Sequence, residues 1–577
     1  MVARVDTAVL PADGREQQQA KRSPFSILVI ALVGAIVFLT LYPLGIIVAG
    51  AVLPGGRFDA TIWAETLMAP GLFQAVSNTA IIAAVNTAVS VPLGVFFAWL
   101  IERTDARIGG MSRLLPVIPL MLPPVALTIG WLFLADPRAG YLVAPLVDAL
   151  HAVGIPVQPS TLAIQSWGGL IFLYVLYSVP HVYVIAAAAF SSLDPSLEEA
   201  ARVCGSNRFK CFFKVSMPAI RYAIGSSALL CIISSIALYS IPALLGTAAR
   251  IDVLSVYIYR LLNYSYPPQT AQAVVLGLIT ILVIGSVWLL QRKIASRTGH
   301  AQMGGMGVRL NPLALGPWKW PARIAVLAYV VMTSILPLLA LLVVALQPFW
   351  SREINLSLLS LKNFLDFWER GASREAIFNS ALLAIASATA VVLTGGLLAI
   401  FAKQTGGLWE KTVGIITKVP SAVPNIVFAV GVLVAFGFSP FHLSGTWLII
   451  FLAYIVVFLP SASIAAESSV QQVGNQLVDA ARVFGAGPGR TFRTVQLPLI
   501  LPGLAAGWAL VFAIVVGELN VAAILAGPRN PVIGYLILAL FDNGTYSQLA
   551  ALATIIGVIA AITVSATLLL ARPKFSN

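Results

Sequence analysis

The chain has 577 residues, of which 59% are hydrophobic and only 10% are charged, and its mean hydropathy is +0.93. A soluble globular domain contains about 45–50% apolar and about 25% charged residues, so this composition excludes a soluble protein. The apolar runs reach the roughly 20 residues that a membrane-spanning helix needs, and the alternating segments typical of a membrane β-barrel are absent. We therefore predict an all-α, polytopic membrane protein.

Twelve apolar segments follow one another along the chain, and we predict that each spans the membrane. They lie near residues 25–53, 73–101, 114–134, 163–190, 222–245, 271–291, 322–349, 377–402, 412–438, 446–470, 501–526 and 546–571. The polar tail at residues 1–24 has no apolar core. We therefore expect no cleaved signal peptide, and the first span would serve as the insertion signal.

Basic residues are distributed unevenly between the two sides of these spans. If the amino terminus is cytoplasmic, the inner segments hold 26 of the 35 lysines and arginines, and the outer loops hold 9. Basic loops stay on the cytoplasmic side of a membrane, so we predict a multi-pass protein with a cytoplasmic amino terminus, in contact with membrane lipid. The asymmetry also explains the net charge of +13, which requires no nucleic acid.

The second half of the chain repeats the first. Three matched pairs at an offset of 301 residues are Pro119 and Pro420, Pro123 and Pro424, and Gly130 and Gly431. The offset falls to 280 by Pro180 and Pro460, so the first half contains 21 extra residues. We place these in an outer loop near 135–160, which either contacts a binding protein or is simply longer.

The repeat divides the chain into two copies of one unit in the same orientation. The predicted parts are a cytoplasmic tail at 1–24, a first half at 25–291, a cytoplasmic linker at 292–321, a second half at 322–571 and a tail at 572–577. The linker is basic and rich in Gly and Pro. An even number of spans separates the copies, so they are parallel repeats related by an axis along the membrane normal.

The most informative part of the repeat lies in two inner loops, at 192–221 and 471–498. Eight of the twenty positions from 199 to 218 recur 280 residues later, and they are Ala200, Ala201, Arg202, Val203, Gly205, Phe212, Val215 and Pro218. Their counterparts in the second loop include Ala480, Ala481, Arg482, Gly485 and Pro498. A generic basic loop would not show two copies with the same spacing.

The residue types in these loops predict a short helix that another protein can approach closely. Ala200 and Ala201 are small, strong helix formers. Glu199, with Asp479 as its counterpart, would lie in the opening turn, where a carboxylate suits the helix dipole.

The remaining repeated positions predict a residue for the protein interface, the end of the short helix and the turn into the next span. Arg202 and Arg482 offer planar guanidinium groups for an interface. Gly205 and Gly485 suit the left-handed conformation that ends a helix. We expect the two repeated prolines to mark the turn into the next span.

Both loops resemble the EAA loop of binding-protein-dependent ABC transporter permeases, whose pattern is E-A-A-x3-G-x9-I-x-L-P. That resemblance implies a type I ABC importer permease with two fused halves, located in the bacterial inner (cytoplasmic) membrane. It also implies two separate ATPase subunits that dock on the loops, and one periplasmic or lipid-anchored substrate-binding protein. ATP and Mg would bind the ATPase partners, with no cofactor on this chain. Asp479 departs from the family's Glu, which leaves the strength of docking in the second half open.

Further motifs narrow the family. The run Glu102-Arg103-Thr104-Asp105, the spacing Pro119-x3-Pro123-Pro124 and the run Pro242-Ala243-Leu244-Leu245-Gly246 look like those of the fused permeases of the ferric-iron uptake group. The resemblance covers nearly the whole chain from about residue 25 and implies ferric iron as substrate. Relatives of the same architecture move aminoalkylphosphonates, polyamines, thiamine or sulfate-like anions, which remain alternatives.

One glycine-rich stretch imitates a nucleotide-binding loop. It lies at 485–491, but its glycine spacing does not fit the G-x4-G-K-[ST] pattern and Arg490 stands where a lysine is needed. We therefore expect this chain to bind no ATP itself and to be a transport subunit rather than an enzyme.

Polar residues inside the predicted spans are few. Glu518 is the one carboxylate well inside a span, next to Asn520, and its first-half counterpart is Leu238, followed by Tyr239 and Ser240. A carboxylate in a membrane is costly and is a functional hypothesis by default. Either these four polar residues line the translocation path, or Glu518 pairs with a neighbouring helix.

Two other classes of membrane protein remain to be weighed. An ion-coupled secondary transporter would not explain the paired EAA loops or the scarcity of carboxylates in the spans. A membrane enzyme would need a polar constellation such as H-E-x-x-H, which the sequence lacks. We predict no metal site, and we expect His181 to be packed or hydrogen-bonded rather than a ligand.

Overall fold

A computed structural model describes residues 24–53, 59–109, 112–296 and 313–570. The predicted terminal tails and the larger part of the predicted linker lie outside the described residues. Within these ranges the chain is helical, and its one β-bridge joins Thr104 to Leu313. The all-α prediction is confirmed.

The α-helices of eight or more residues are numbered here in chain order. In the first half they are α1 (Pro24–Val52), α2 (Ala60–Leu67), α3 (Leu72–Arg103), α4 (Pro124–Ala135), α5 (Val143–Ala152), α6 (Trp167–Ser191), α7 (Pro195–Val203), α8 (Arg221–Ala237), α9 (Leu254–Asn263) and α10 (Thr270–Ala295). In the second half they are α11 (Lys319–Val330), α12 (Leu336–Leu346), α13 (Lys362–Glu369), α14 (Gly371–Thr405), α15 (Gly407–Ile416), α16 (Asn425–Phe436), α17 (Trp447–Gln472), α18 (Asn475–Val483), α19 (Leu497–Val516), α20 (Ile533–Asp542) and α21 (Tyr546–Leu570).

Ten of the twelve predicted spans correspond to long apolar helices or to a bent pair. Among the described residues, nine helical stretches are long and apolar enough to cross a membrane, and the pair Phe209–Ala219 and Arg221–Ala237 forms a tenth with a 75° bend. The other two predicted spans, 114–134 and 412–438, end in the 12-residue helices α4 and α16. Twelve residues of helix extend only about 18 Å, against a hydrocarbon layer of about 30 Å.

Repeated prolines explain why these two spans are short. Pro119 and Pro420 lie in 3₁₀ turns just before α4 and α16, and Pro123 and Pro424 are the N-caps of the two helices. Proline provides no N–H and cannot continue a helix. The two halves therefore break at the same place, which confirms the repeat in three dimensions.

The region near 135–160, where we placed the extra residues of the first half, is partly helical. It includes α5 and ends at a 3₁₀ turn at Pro159–Leu162. Within it, the Tyr141 hydroxyl donates a hydrogen bond of 2.7 Å to Gln347 Oε1, at the end of α12 in the other half. The insertion thus lies against a contact between the two halves.

In each half, the first span packs against the short helix of the other half. Gly130 of α4 packs directly on Pro337 of α12, and Gly431 of α16 packs on Ile47 and the Pro43 carbonyl of α1. A Cβ at Gly130 would lie 2.6–2.7 Å from Pro337 atoms, including its backbone. These glycines therefore allow the two halves to interlock at reciprocal positions.

Both repeated loops open on the same face of the bundle. The start of α1 packs with Phe401 at the end of α14, and the end of α1 meets the start of α10 where Gly50 contacts Val274. The end of α10 therefore lies beside the start of α1, and there Ile294 contacts Gly225 of α8. We call this side, with residues 102–109, 192–220, 403–418 and 473–496, the loop face.

The contact at Gly130 generates a stability prediction. We expect Gly130→Ala to destabilise the protein by about 1–3 kcal/mol, the usual cost of overpacking, because the neighbouring atoms include backbone. Gly285→Ala in α10 is the matched control, since no atom lies within 4 Å of the position that its Cβ would occupy. Thermal unfolding of the purified variants checks this, and equal melting temperatures would contradict the interlocking contact.

Candidate functional site

The first repeated loop begins with the short helix α7. Asp194 caps its N-terminus, and its carboxylate accepts a hydrogen bond of 2.9 Å from the Ser196 N–H. This backbone hydrogen bond lowers the pKa of Asp194. The sequence Asp-Pro before an alanine-containing turn therefore fixes where the helix starts.

The glycines end the helices as the sequence predicts. Gly205 has φ +79° and Gly485 has φ +78°. In the first loop, the N–H of Ser206 donates to the Ala201 carbonyl at 3.0 Å and that of Gly205 donates to Arg202 at 2.9 Å. These two bonds form a Schellman cap. In the second loop the Ala486 N–H donates to Ala481 in the same way.

The residues predicted to contact an ATPase lie mostly on the surface. Exposed side chains are those of Glu199, Ala200, Arg202, Pro218, Asp479, Ala480 and Pro498, and partly exposed ones are those of Ala201 and Ala481. The side chain of Arg482 lies outside the described part. Both loops thus present small and charged residues to the solvent on the loop face.

Sequence reasoning missed the apolar part of this surface. Val203 and Phe484 are each 90% exposed, and Val483 is similarly exposed. Leu197 and its counterpart Leu477 are about half exposed on the preceding turn. Large apolar side chains that project from a short surface helix are typical of a protein contact. Their helical spacing and the Val203–Val483 identity could have indicated them.

The two loops differ where they enter the next span. Both contain a π-helical turn, at Phe212–Ser216 and Phe492–Gln496. In the first loop the helix bends by 75° after Pro218, before α8 begins. In the second loop the helical stretch Gly489–Val516 continues without a bend through Pro498. The predicted turn is therefore wrong for Pro498, which lies in the first turn of α19, where proline is tolerated.

The four predicted path residues lie at two matched helix breaks. α8 ends at Ala237, before Tyr239 and Ser240, and α19 ends at Val516, before Glu518 and Asn520. Short helical segments, Pro242–Gly246 and Ala522–Leu525, follow the breaks. The predicted fifth and eleventh spans are thus interrupted at equivalent positions.

Glu518 binds the backbone of its own break rather than a neighbouring helix. Its Oε1 accepts hydrogen bonds from the N–H groups of Asn520 at 2.8 Å and Val521 at 3.0 Å. Its Oε2 accepts from Val521 at 2.9 Å and Ala522 at 3.2 Å. The carboxylate thus satisfies the free N–H groups at the start of the following helical segment. It is a helix cap, which neither of the two sequence interpretations anticipated.

The breaks lie next to the contact between the halves. A Cβ at Gly517 would lie 2.9 Å from Pro123 of the first half, and α9 contacts the segment Ala522–Leu525 across the same boundary. Tyr239 is fully buried, with its ring 5.2 Å from that of Tyr259. The position suits a path between the halves, and the path role of these residues stays a prediction.

His181 has an ordinary structural environment. Its Nδ1 lies 3.1 Å from the Tyr177 carbonyl, and the two rings lie 5.1 Å apart. The expectation that it is packed and hydrogen-bonded is confirmed. Among the described residues, no group of three or more His, Cys, Asp and Glu side chains could hold a metal ion.

Comparison with known families shows to which family a chain with these features belongs. The family described as binding-protein-dependent transport system inner membrane component matches residues 90–300 and again 392–572. The two matches contain the two repeated loops and the two helix breaks. This chain belongs to that family. It is a fused, two-half permease subunit of an ABC importer and a multi-pass inner-membrane protein.

Several relatives are similar over different lengths. A putative ferric transport system permease protein of Haemophilus influenzae is 23% identical over 85% of this chain and 76% of the relative. A ferric transport system permease protein of Actinobacillus pleuropneumoniae is 22% identical over 92% of this chain and 76% of the relative. The spermidine/putrescine transport system permease protein of Escherichia coli is 30% identical over 35% of this chain and 75% of the relative.

The cap at Glu518 can be tested by removing its carboxylate. We expect Glu518→Ala to lower the free energy of unfolding by about 1–3 kcal/mol, because buried N–H groups lose their acceptor. Glu518→Gln keeps one acceptor oxygen and should be less destabilised. The control is Glu410→Ala, which removes an exposed carboxylate on the loop face. Thermal unfolding that does not distinguish Glu518→Ala from this control would rule out the capping role.

The same variants separate capping from a path role. If Glu518 only caps the break, transport per folded complex should be unchanged in Glu518→Gln. If it also lines the path, transport should fall beyond the loss of folded protein.

Proposed function

We propose that this chain forms the translocation path of an ATP-driven importer of ferric iron, and that one ATPase subunit docks on each repeated loop. ATP and Mg would bind those two partner subunits. Closure of the ATPases would pull the two loop helices together and switch the halves between inward- and outward-facing states. No covalent chemistry occurs on this chain.

The matched geometry of the two loops supports docking. α7 and α18 have the same length, end at glycines with nearly the same φ, and lie on one face. Each presents an exposed alanine, an exposed carboxylate and an exposed valine. Two similar surfaces on one face suit two copies of one partner. The similarity of these two surfaces is the main support for the proposed docking.

Ferric iron is the substrate favoured by the extent of similarity. The ferric relatives align with 85% and 92% of this chain. A putative 2-aminoethylphosphonate transport permease of Salmonella paratyphi A aligns with 38%, and the polyamine permease with 35%. The alternatives are therefore aminoalkylphosphonate, polyamine, thiamine or another small solute.

The proposed orientation places the loop face in the cytoplasm, together with the amino terminus. The uneven distribution of Lys and Arg supports this orientation. The opposite face would then receive one periplasmic or lipid-anchored binding protein. On that face the Tyr264 hydroxyl of the first half donates to Asp542 Oδ2 of the second at 3.0 Å.

Docking can be tested at the two helix-ending glycines. A leucine in the left-handed conformation costs about 1–2 kcal/mol, so Gly205→Leu and Gly485→Leu should distort the loop helices. We expect both variants to insert in the membrane but to lose bound ATPase and uptake. Gly414→Leu is the control on the same face, with no atom within 4 Å and no positive φ. Copurification of the ATPase measures docking, and full uptake by both loop variants would overturn the proposal.

Orientation can be tested with single cysteines. In a chain whose three native cysteines are replaced by serine, we introduce Arg138→Cys or Lys210→Cys, both at exposed positions. A membrane-impermeant thiol reagent applied to spheroplasts should label position 138 and leave position 210 unlabelled. Labelling at 210 with protection of 138 would reverse the proposed orientation and separate the loops from any cytoplasmic ATPase.

The substrate is tested by uptake into vesicles that contain the permease, its ATPase and its binding protein. We expect ATP-dependent accumulation of radiolabelled ferric iron, with no accumulation of 2-aminoethylphosphonate or spermidine. Accumulation of one of the latter solutes instead would keep the importer and exclude iron as its substrate.

A further inference from the structure

A short helix lies at the end of the second half's first span, opposite the loop face. This helix is α13, and neither it nor its first-half counterpart α2 falls within a predicted span. Asn363 Nδ2 donates to the carbonyls of Ala345 at 2.8 Å and Gln347 at 2.7 Å. Carbonyls at the end of a helix lack partners within that helix, and these two lie at the end of α12. The bonds therefore fix α13 to the end of a membrane-spanning stretch.

α13 has three chemically different sides. One side is buried against the bundle and includes Asn363 and Phe367. A second side is apolar but exposed, and it consists of Leu361 (63%), Leu365 (61%) and Trp368 (67%). The third side is charged, and its exposed residues are Lys362 and Glu369. At 3.6 residues per turn, the centres of the three sides lie about 110–140° apart around the helix axis.

The first half repeats this arrangement at an offset of 301 residues. The exposed apolar positions of α2 are Ala60, Ala64 and Leu67, which match the three of α13. Trp63 Nε1 donates to the Ala51 carbonyl, near the end of α1, at 2.7 Å. Each half therefore fixes a short helix of the same design to the end of its first span, and the apolar side chains are larger in α13.

The depth of α13 in the membrane follows from the length of the stretch that precedes it. Gly316–Leu346 has 31 residues and is apolar enough to cross a membrane. At 1.5 Å per residue it extends about 45 Å, and a bilayer with its headgroups is about 40–45 Å thick. Trp318 and Trp320 are exposed at its other end, and tryptophan is enriched where lipid meets water. The end that holds α13 therefore lies at the opposite boundary of the bilayer.

The exposed apolar side of α13 adjoins surfaces that contact lipid. Leu342, one turn before the end of α12, is exposed, and so is Leu339. α14 begins two residues after α13 ends and has an exposed stripe at Phe378, Leu382 and Ile385. Both helices belong to stretches that are apolar enough to cross the membrane, so their exposed side chains contact acyl chains.

We propose that α13 lies in the boundary between headgroups and acyl chains of the leaflet opposite the loop face, and that phospholipid covers Leu361, Leu365 and Trp368. One apolar side and one charged side are typical of a helix in the plane of a membrane interface. The third side of α13 belongs to the bundle, so the helix contacts protein, lipid and water at once. The proposal depends on membrane insertion of the chain, and it is independent of the proposed ATPase docking and substrate.

The apolar side also favours lipid over a protein partner. A binding protein above this end of the molecule would meet the charged side of α13, which lies at the water boundary. The apolar side is turned about 110° away from the charged side. Its occupant is therefore the layer that already covers Leu342 and Leu382.

Spin labels at single cysteines test the surroundings of each side. The full-length chain, with its three native cysteines replaced by serine, is reconstituted in nanodiscs of phosphatidylethanolamine and phosphatidylglycerol. Labels are placed on the apolar side with Leu361→Cys, Leu365→Cys or Trp368→Cys, and on the charged side with Lys362→Cys or Glu369→Cys. Oxygen concentrates among acyl chains, whereas a hydrophilic nickel chelate stays in water. We expect the ratio of oxygen collisions to nickel collisions to be several-fold higher on the apolar side.

Two reference positions calibrate the measurement. Leu382→Cys on the exposed stripe of α14 should give a high ratio, and Lys210→Cys on the loop face should give a low one. A ratio on the apolar side as low as that of Lys210→Cys would place this side in water and overturn the proposal. Low rates of both collisions would show that protein covers it, and would overturn the proposal equally. Labels that become immobile only when the binding protein is added would assign the apolar side to that protein instead.

Discussion

The hydrocarbon layer provides no partner for a backbone N–H or C=O group, so a chain can interrupt its helices there only where protein supplies the bonds. Among the residues that the structure describes, four of the predicted spans are interrupted, two in each half. At one break Glu518 supplies its carboxylate to three backbone N–H groups. The breaks also lie against the other half, with Gly517 on Pro123 and Gly130 on Pro337. The positions at which the spans are interrupted are therefore also the positions at which the two halves contact each other.

The two halves of the chain have a similar backbone arrangement, but their side chains make different contacts at matched positions. A carboxylate caps one break, and Leu238 occupies the matched position of the other. Glu198 of the first loop helix pairs with the buried Arg103, and its counterpart in the second loop helix is Val478, which packs in an apolar cluster. Fusion of the halves in one chain permits this divergence, since each copy always occupies its own place.

The sequence predicted those features that depend on local chemistry. Proline and glycine positions revealed the repeat, and the spacing to Gly205 and Gly485 predicted the ends of the loop helices. It did not predict the short α4 and α16, because counting apolar residues treats a 3₁₀ turn as part of a span. Nor could it pair Arg103 with Glu198, which lie 95 residues apart. The backbone N–H groups that Glu518 binds are free only because the helix breaks beside it. Hydropathy does not indicate where a helix breaks.

The central claim is that ATP acts on the membrane halves by moving the two loop helices. The most direct test is the distance between spin labels at Lys210 and Arg490, matched exposed positions in the two loops, in the complete complex with its ATPase. The account predicts that this distance shortens when ATP is trapped and returns to its resting value after hydrolysis and release. A distance that stays the same in the nucleotide-free and ATP-trapped complexes would contradict it.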